Sequence, residues 1–229
     1  MEIVHATGIE GARQARGVAV VIDVLRSFTV SAYALAGGAR ECRLVTTTDE
    51  ARALAALTPD SVICAEEDGL PVKGIAISNS PTQIAAAELA GSILVQRSSA
   101  GTPVAAAVRE GLDIFAASLV VAQATVQACL LRRPTVLTLV ASADHPEDHA
   151  CALYMQAIIR GGMPDVERLL RPLKQSERYA HLMSGTWPGF PPTDLELALQ
   201  PDRFSFAMPV THEAGYLRLT RADQARVND

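Results

Sequence analysis

Carboxylate, guanidinium and hydroxyl side chains recur in this chain at one kind of place, directly after a short apolar run. After VAVVI comes Asp23 and, three residues on, Arg26 and Ser27 at the start of a helical pattern. A carboxylate there can hold a metal ion while the guanidinium grips a phosphate oxygen, although the same pair also serves as a salt-bridged helix cap. After SVICA stand Glu66, Glu67 and Asp68, then Gly69. Neighbouring carboxylates repel one another unless a cation lies among them, so this cluster reads either as an Mg²⁺ site or as a solvated acidic turn. Further on, Asn79-Ser80-Pro81 marks a helix start, with a capping side chain and proline in the first turn.

The richest segment is Arg97-Ser98-Ser99-Ala100-Gly101-Thr102, a guanidinium, three hydroxyls and a glycine just before a helix. Backbone N–H groups, hydroxyls and a bidentate arginine can together wrap a phosphoryl or sulfonyl group. The Walker pattern G-x-x-x-x-G-K-[ST] is missing from it. A last cluster, Asp144-His145-Pro146-Glu147-Asp148-His149, carries two histidines four apart. Pro146 puts the first ahead of the helix and the H-E-x-x-H order is lacking, so zinc is disfavoured; Glu147 and Asp148 suit a helix first turn on electrostatic grounds alone.

Side chains at strand ends act together only if the strands run side by side, and the pattern from Val18 onward predicts that they do. Short β-rich runs (VAVVI, CRLVT, SVICA, SILVQ, DIFAAS, TVLTLVA) alternate with helical stretches as far as a helix ending near Arg160. Such alternation predicts a three-layer α/β/α sandwich around a mixed, largely parallel sheet, with ligands beyond the carboxyl ends of the strands. Past Gly162 the rhythm breaks into Pro- and aromatic-rich sequence such as TWPGFPPTD, then a strand pair, FAMPV and YLRLT. The reading is one domain over 1–229, with a core at about 18–162. Residues 163–229 form an extension packed on the sheet or used in a homodimer contact.

Composition narrows the partners. The 229 residues are 49% hydrophobic and 20% charged, with 20 Lys plus Arg against 25 Asp plus Glu and a net charge of -5. No basic block could neutralise a run of phosphates, so nucleic acid is not an expected partner. No apolar leader opens the sequence and no run of about 18 apolar residues interrupts it, which predicts a cytoplasmic protein with no membrane partner. Cys42, Cys64, Cys129 and Cys151 lie far apart in apolar segments and read as reduced core thiols.

Taken in order, these segments resemble the 2-phosphosulfolactate phosphatase family. VVIDVLRSFTVSAYALAGGA looks like that family's D-V-L-R stretch and following helix, and Glu66 with Asp68-Gly69 and Asn79-Ser80-Pro81 is similar to its G-E-x-x-G and N-S-P segments. QRSSAGT and Pro146-Glu147-Asp148 complete the likeness, which covers about Val18 to Gly162. The resemblance implies an α/β/α fold, Mg²⁺ dependence and hydrolysis of a small anionic phosphate ester on a substrate also bearing sulfonate and carboxylate, as in making the sulfolactate precursor of coenzyme M. It directs attention to Asp23, Arg26 and Arg97 as catalytic, and to Ser27, Asn79, Ser80, Ser98, Ser99, Gly101 and Thr102 as substrate-binding. Asp23, Glu66, Asp68 and Asp148 are the expected metal ligands. Where the family carries F-D, this chain has Ile75-Ala76, and Glu67 stands where many members carry arginine. A phosphatase for another small phosphorylated acid, or a non-catalytic anion-binding relative, is therefore the alternative.

Overall fold

The computed structural model describes residues 1–223. In chain order the elements are β1 (Glu2–Thr7), α1 (Gly8–Arg13), β2 (Val18–Ile22), α2 (Ser27–Ala36), β3 (Glu41–Val45), α3 (Thr48–Ala56), β4 (Ser61–Glu67), β5 (Leu70–Pro71), α4 (Pro81–Ala85), β6 (Ile93–Arg97) and α5 (Gly101–Ala107). After these come β7 (Ile114–Ala117), a 3₁₀ turn at Leu119–Val121, α6 (Ala122–Leu131), β8 (Val136–Ala141), α7 (Pro146–Ile159), α8 (Val166–Lys174), α9 (Glu177–Met183), α10 (Thr193–Ala198), β9 (Phe206–Glu213), β10 (Tyr216–Leu219) and β11 (Ala222–Asp223). The fold is the expected α/β/α sandwich. Strand β2 is buried along its whole length, as a strand covered on both faces must be. Its side chains alternate between two cores: Ala19 and Val21 join Phe28, Leu35, Leu94 and Phe206 on one face, while Val18, Val20 and Ile22 join Leu119, Leu137 and Met155 on the other. Local chemistry starts the helices, as in the capping box of Thr47 and Glu50 before α3 and the proline in the first turn of α7.

The sheet runs β1-β8-β2-β7-β9-β10-β3-β6-β4-β5, with β11 beside β9. It consists of two parallel blocks, β1-β8-β2-β7 and β3-β6-β4, joined by the antiparallel hairpin β9-β10. The anticipated strand pair near the end of the chain therefore exists, but it lies in the middle of the sheet rather than on it. The reason is that each block would otherwise expose an edge; β9 covers β7 (Ile114 opposite Val210) and β10 covers β3 (Leu217 opposite Leu44). The sheet also begins before the expected core, with β1 in register on β8.

All four thiols are buried and unpaired, as their apolar surroundings in the sequence implied. Burial pushes Cys64 and Cys129 up to about 12, which leaves them protonated and inert. Among the described residues no helix is long and apolar enough to cross a membrane.

Candidate active site

A cavity of about 220 Å³ opens at the carboxyl ends of β2, β4 and β6, lined by Glu66 at the end of β4, by Asp23, Arg26, Asp68, Ser98 and Ser99 from the loops after those strands, and by Asn79 just ahead of α4. Its remaining wall comes from the other side of the molecule: His145 ahead of α7, Arg178 and Leu182 of α9, and Trp187 and Phe190 of the following loop. This is smaller than the roughly 300–1,000 Å³ of drug-sized sites, which restricts an occupant to a small molecule.

Asp23 sits at its floor, 4% exposed. Its Oδ1 accepts from the Ser27 N–H at 2.9 Å, and its Oδ2 lies 3.1 Å from the Ser142 hydroxyl. That hydroxyl is also 3.0 Å from Oδ2 of Asp148, whose Oδ1 accepts from the Val24 N–H at 2.8 Å. One hydroxyl carries one proton, so it can donate to only one of the two carboxylates at a time. Burial, opposed by the bonds from Ser27 and Ser142 and reinforced by the charges of Glu66 and Glu147, pushes Asp23 up from 3.8 to about 6. Burial and the charge of Asp23 together hold Asp148 well above the carboxylate range. Gly101 and Ser27 lie behind this floor, outside the cavity lining, and Gly101 is required for a steric reason: a Cβ there would stand 2.6 Å from Asp23 Oδ2 and 2.8 Å from Ser27 Oγ.

Glu66, an expected metal ligand, lines the cavity and ties its loops together. Its Oε1 accepts from the Ser99 N–H at 2.5 Å, and its Oε2 from the Gly69 N–H at 2.6 Å and the Ser99 hydroxyl at 3.0 Å. Ser99 in turn accepts from the Asp68 N–H at 2.8 Å, so the turn after β4 is tied to the loop after β6. Asp68 lines the cavity from this turn with an exposed side chain. Arg97 needs correction as a phosphate clamp. It ends β6 between β3 and β4, and its guanidinium donates to the Thr46 and Glu66 carbonyls and to Ser99 Oγ, outside the cavity lining. The loop closes on itself through Ser98 and Thr102, whose N–H and hydroxyl groups bond reciprocally at 3.0 and 3.1 Å, leaving Thr102 behind the cavity wall.

Arg26 is the guanidinium that does reach the cavity. Only its Nη1 bonds to protein among the described residues, to Gly189 O at 2.6 Å and to Asp194 Oδ2 at 2.8 Å, while the group lies 4.2 Å from the centre of the Phe190 ring. Asp194, 0% exposed, also accepts from Ser80 Oγ at 2.7 Å and the Thr82 N–H at 3.0 Å. Ser80 thus holds the partner of Arg26 and does not line the cavity. Gly189 has φ +69° and packs so closely on Pro71 and Ser78 that a Cβ would collide with both. Buried Gln96 donates to Ser27 O at 2.8 Å and to Asn79 Oδ1 at 3.2 Å, which leaves the Asn79 amide N–H groups, on the cavity wall, with no protein acceptor among the described residues.

Ser142, Arg178, Trp187, Phe190 and Asp194 were not singled out from the sequence. Only TWPGFPPTD, as a break in rhythm, marked part of this wall. His145 and His149 do not meet: the first lines the cavity and the second bonds Asp144 at 2.8 Å. Burial and the nearby Arg178 charge pull His145 below its ordinary 6.5.

No three His, Cys, Asp or Glu side chains converge on one point among the described residues, so the expected four-acid cage is not formed. What is formed is a buried acid pair, Asp23 on the cavity floor and Asp148 behind it outside the lining, bridged by the one Ser142 hydroxyl and holding protons more tightly than free carboxylates do. That donor set fits Mg²⁺, which commonly takes one or two carboxylates and completes its shell with water and phosphate. The pair also makes stability pH-dependent. Both groups hold protons more tightly folded than unfolded, so their contribution is complete below about pH 4 and is lost as pH rises through about 6 and beyond. Without divalent cations, the melting temperature followed by circular dichroism should fall between roughly pH 5 and 8, and Asp148→Asn should flatten that fall. An equally steep profile in the variant would show that the pair is not its source.

Fold and site together define a class: an α/β/α protein whose strand ends surround a small cavity with Asp23 at its floor, Asp148 buried behind Asp23, and guanidinium groups in its walls. A family model described as 2-phosphosulpholactate phosphatase matches residues 4–208, and the chain belongs to that family. It is 38% identical to a probable 2-phosphosulfolactate phosphatase of Bacillus subtilis (strain 168) over 147 residues, 62% of this chain and 64% of the relative. A protein of that same name from Deinococcus radiodurans is 38% identical over 85 residues, 37% of this chain and 35% of the relative. One from Thermoplasma acidophilum is 28% identical over 186 residues, 80% and 81% of the two chains. The chain thus spans just under two thirds of the Bacillus relative's length and about one third of the Deinococcus relative's.

Proposed function

We propose that this chain is a magnesium-dependent phosphatase for a small anionic phosphate monoester, with 2-phosphosulfolactate, the substrate in the names of its relatives, as the first candidate. The observation that carries this reading is the buried Asp23–Asp148 pair beside the free edge of the Arg26 guanidinium in a cavity sized for a small ester. Asp23, backed by Asp148, would hold the cation, which supplies charge neutralisation at the phosphoryl oxygens.

The chain's own residues do the rest. Arg26, anchored by one nitrogen to Asp194, offers its remaining N–H groups to the phosphoryl oxygens in fixed orientation. The Asn79 amide N–H groups face the same space, and Ser98 and Ser99 are fixed at its rim by Thr102 and Glu66. Phosphoryl transfer is largely positioning and electrostatics, so donors held by buried partners are well suited to it. Leu182, Trp187 and Phe190 make one wall apolar and keep bulk water from screening these charges. Ala76, where the family pattern carries an acid, is exposed and outside the cavity lining, so the constellation described consists of other residues.

Phosphate release from a panel including 2-phosphosulfolactate and phospholactate, with Mg²⁺ or with chelator, tests the reading. Release that requires Mg²⁺ is expected. Silence across the panel from folded protein that still binds inorganic phosphate would replace it with a non-catalytic anion-binding role.

A further inference from the structure

We infer that Arg178 is the specificity-determining residue of this cavity, the group that reads a second oxyanion, carboxylate or sulfonate, on the carbon skeleton of the phosphate ester. The inference rests on the phosphatase reading for the ester and adds how one ester is told from another. Of the residues lining the cavity, only Arg26 and Arg178 carry a permanent positive charge, because Arg97 is turned to backbone carbonyls outside it. If Arg26 holds the phosphoryl group beside Asp23, Arg178 is left for the other end of the molecule.

The state of its bonding supports that division. Arg178 projects from α9, and its Nη2 donates to Glu147 Oε1 at 3.2 Å, its sole protein hydrogen bond among the described residues. Its Nε is buried without an acceptor. Glu147, 1% exposed, stands in the first turn of α7 one residue before Asp148, so the guanidinium is fixed relative to the acid pair. A buried N–H with no acceptor is costly, and it shows that the protein does not use up the hydrogen-bonding capacity of this guanidinium. A planar fork held at one nitrogen keeps its other N–H groups for bidentate contact with a carboxylate or sulfonate. Glu147 has the positioning role: it offsets the charge of Arg178 and sets the direction of the fork.

Three esters of similar size separate the possibilities. Phospholactate carries a carboxylate, O-phosphoisethionate a sulfonate, and isopropyl phosphate neither. The wild type is expected to prefer at least one of the first two over isopropyl phosphate in kcat/KM. Arg178→Gln should reduce that ratio about 10²-fold, the worth of charge-assisted hydrogen bonds, and Arg178→Lys should restore part of it. Should Arg178→Gln fail to fold because Glu147 is left unpaired, the double variant Glu147→Gln/Arg178→Gln carries the same test with no buried charge uncompensated. A variant that lowers all three esters equally, leaving the ratio where it was, makes Arg178 structural and overturns the inference. If no ester is turned over, the phosphatase reading fails separately, and calorimetric titration with lactate, isethionate and inorganic phosphate decides about Arg178. Loss of acid binding in Arg178→Gln beyond any loss of phosphate binding upholds it, while equal losses, or a wild type that binds neither acid, overturn it.

Discussion

Asp23→Asn is expected to lower Mg²⁺-dependent phosphate release by about 10³-fold or more while leaving the fold intact, because several kcal/mol of transition-state stabilisation would pass through this carboxylate. The substitution is isosteric. Its Oδ1 can still accept from the Ser27 N–H, and Ser142 is then free to donate to Asp148. Removing one of two buried like charges also relieves a cost that the folded chain bears above about pH 6. Cation-free Asp23→Asn should therefore melt no lower than the parent, and higher at alkaline pH. Activity down and stability up is the signature of a charge kept for function rather than for folding. Full turnover in the variant would remove Asp23 from the mechanism, and a sharply lower melting temperature would make it a structural acid.

The opposite pattern is expected at Asp194. This residue touches nothing in the cavity, yet it accepts from Arg26, Ser80 and the Thr82 N–H from full burial. Asp194→Ala leaves the Arg26 guanidinium uncompensated and two donors unpaired, which for a buried pair costs about 3–5 kcal/mol. In a chain of this length that is a fall of roughly 10 °C in melting temperature, and turnover should fall with it because Arg26 loses its orientation. The double variant Arg26→Met/Asp194→Leu should recover much of the stability and none of the activity. An Asp194→Ala protein melting within about 2 °C of the parent would show that the ion pair contributes little and that Phe190 and Gly189 alone position Arg26.

Much of the fold was legible in the sequence because its signals are local. The short β-rich apolar runs at Val18–Ile22 and Ile93–Arg97, and the prolines at the starts of α4 and α7, act within a few residues of themselves, and the structure has strands and helix starts at these places. For the same reason Asp23, Arg26, Asn79, Ser98 and Ser99 were legible as site candidates. All but Asn79, which marks a helix start, follow a strand whose end must face a common crevice.

Arg97 shows where that reasoning stops. Being at a strand end does not say which way a long side chain leaves it, and flanking strands β3 and β4 offer it carbonyls that a linear sequence does not show. Glu66 is similar: its type suits a metal, but the N–H groups that occupy it come from the loop after a different strand. The last strand pair was visible as two β-rich runs, whereas its insertion between β7 and β3 depends on two sheet edges formed much earlier in the chain.

By itself, then, the sequence determined the layered α/β architecture, the inert thiols and the strand-end acids and hydroxyls, all set by periodicity and nearest neighbours. Only the tertiary structure decided which charges share a space. Asp194 reaches Arg26 across 168 positions and Ser142 reaches Asp23 across 119, while Arg178 meets the cavity through a helix from outside the strand-and-helix alternation. Such pairings depend on how whole elements pack, and burial then sets what each charge costs and what it can bind.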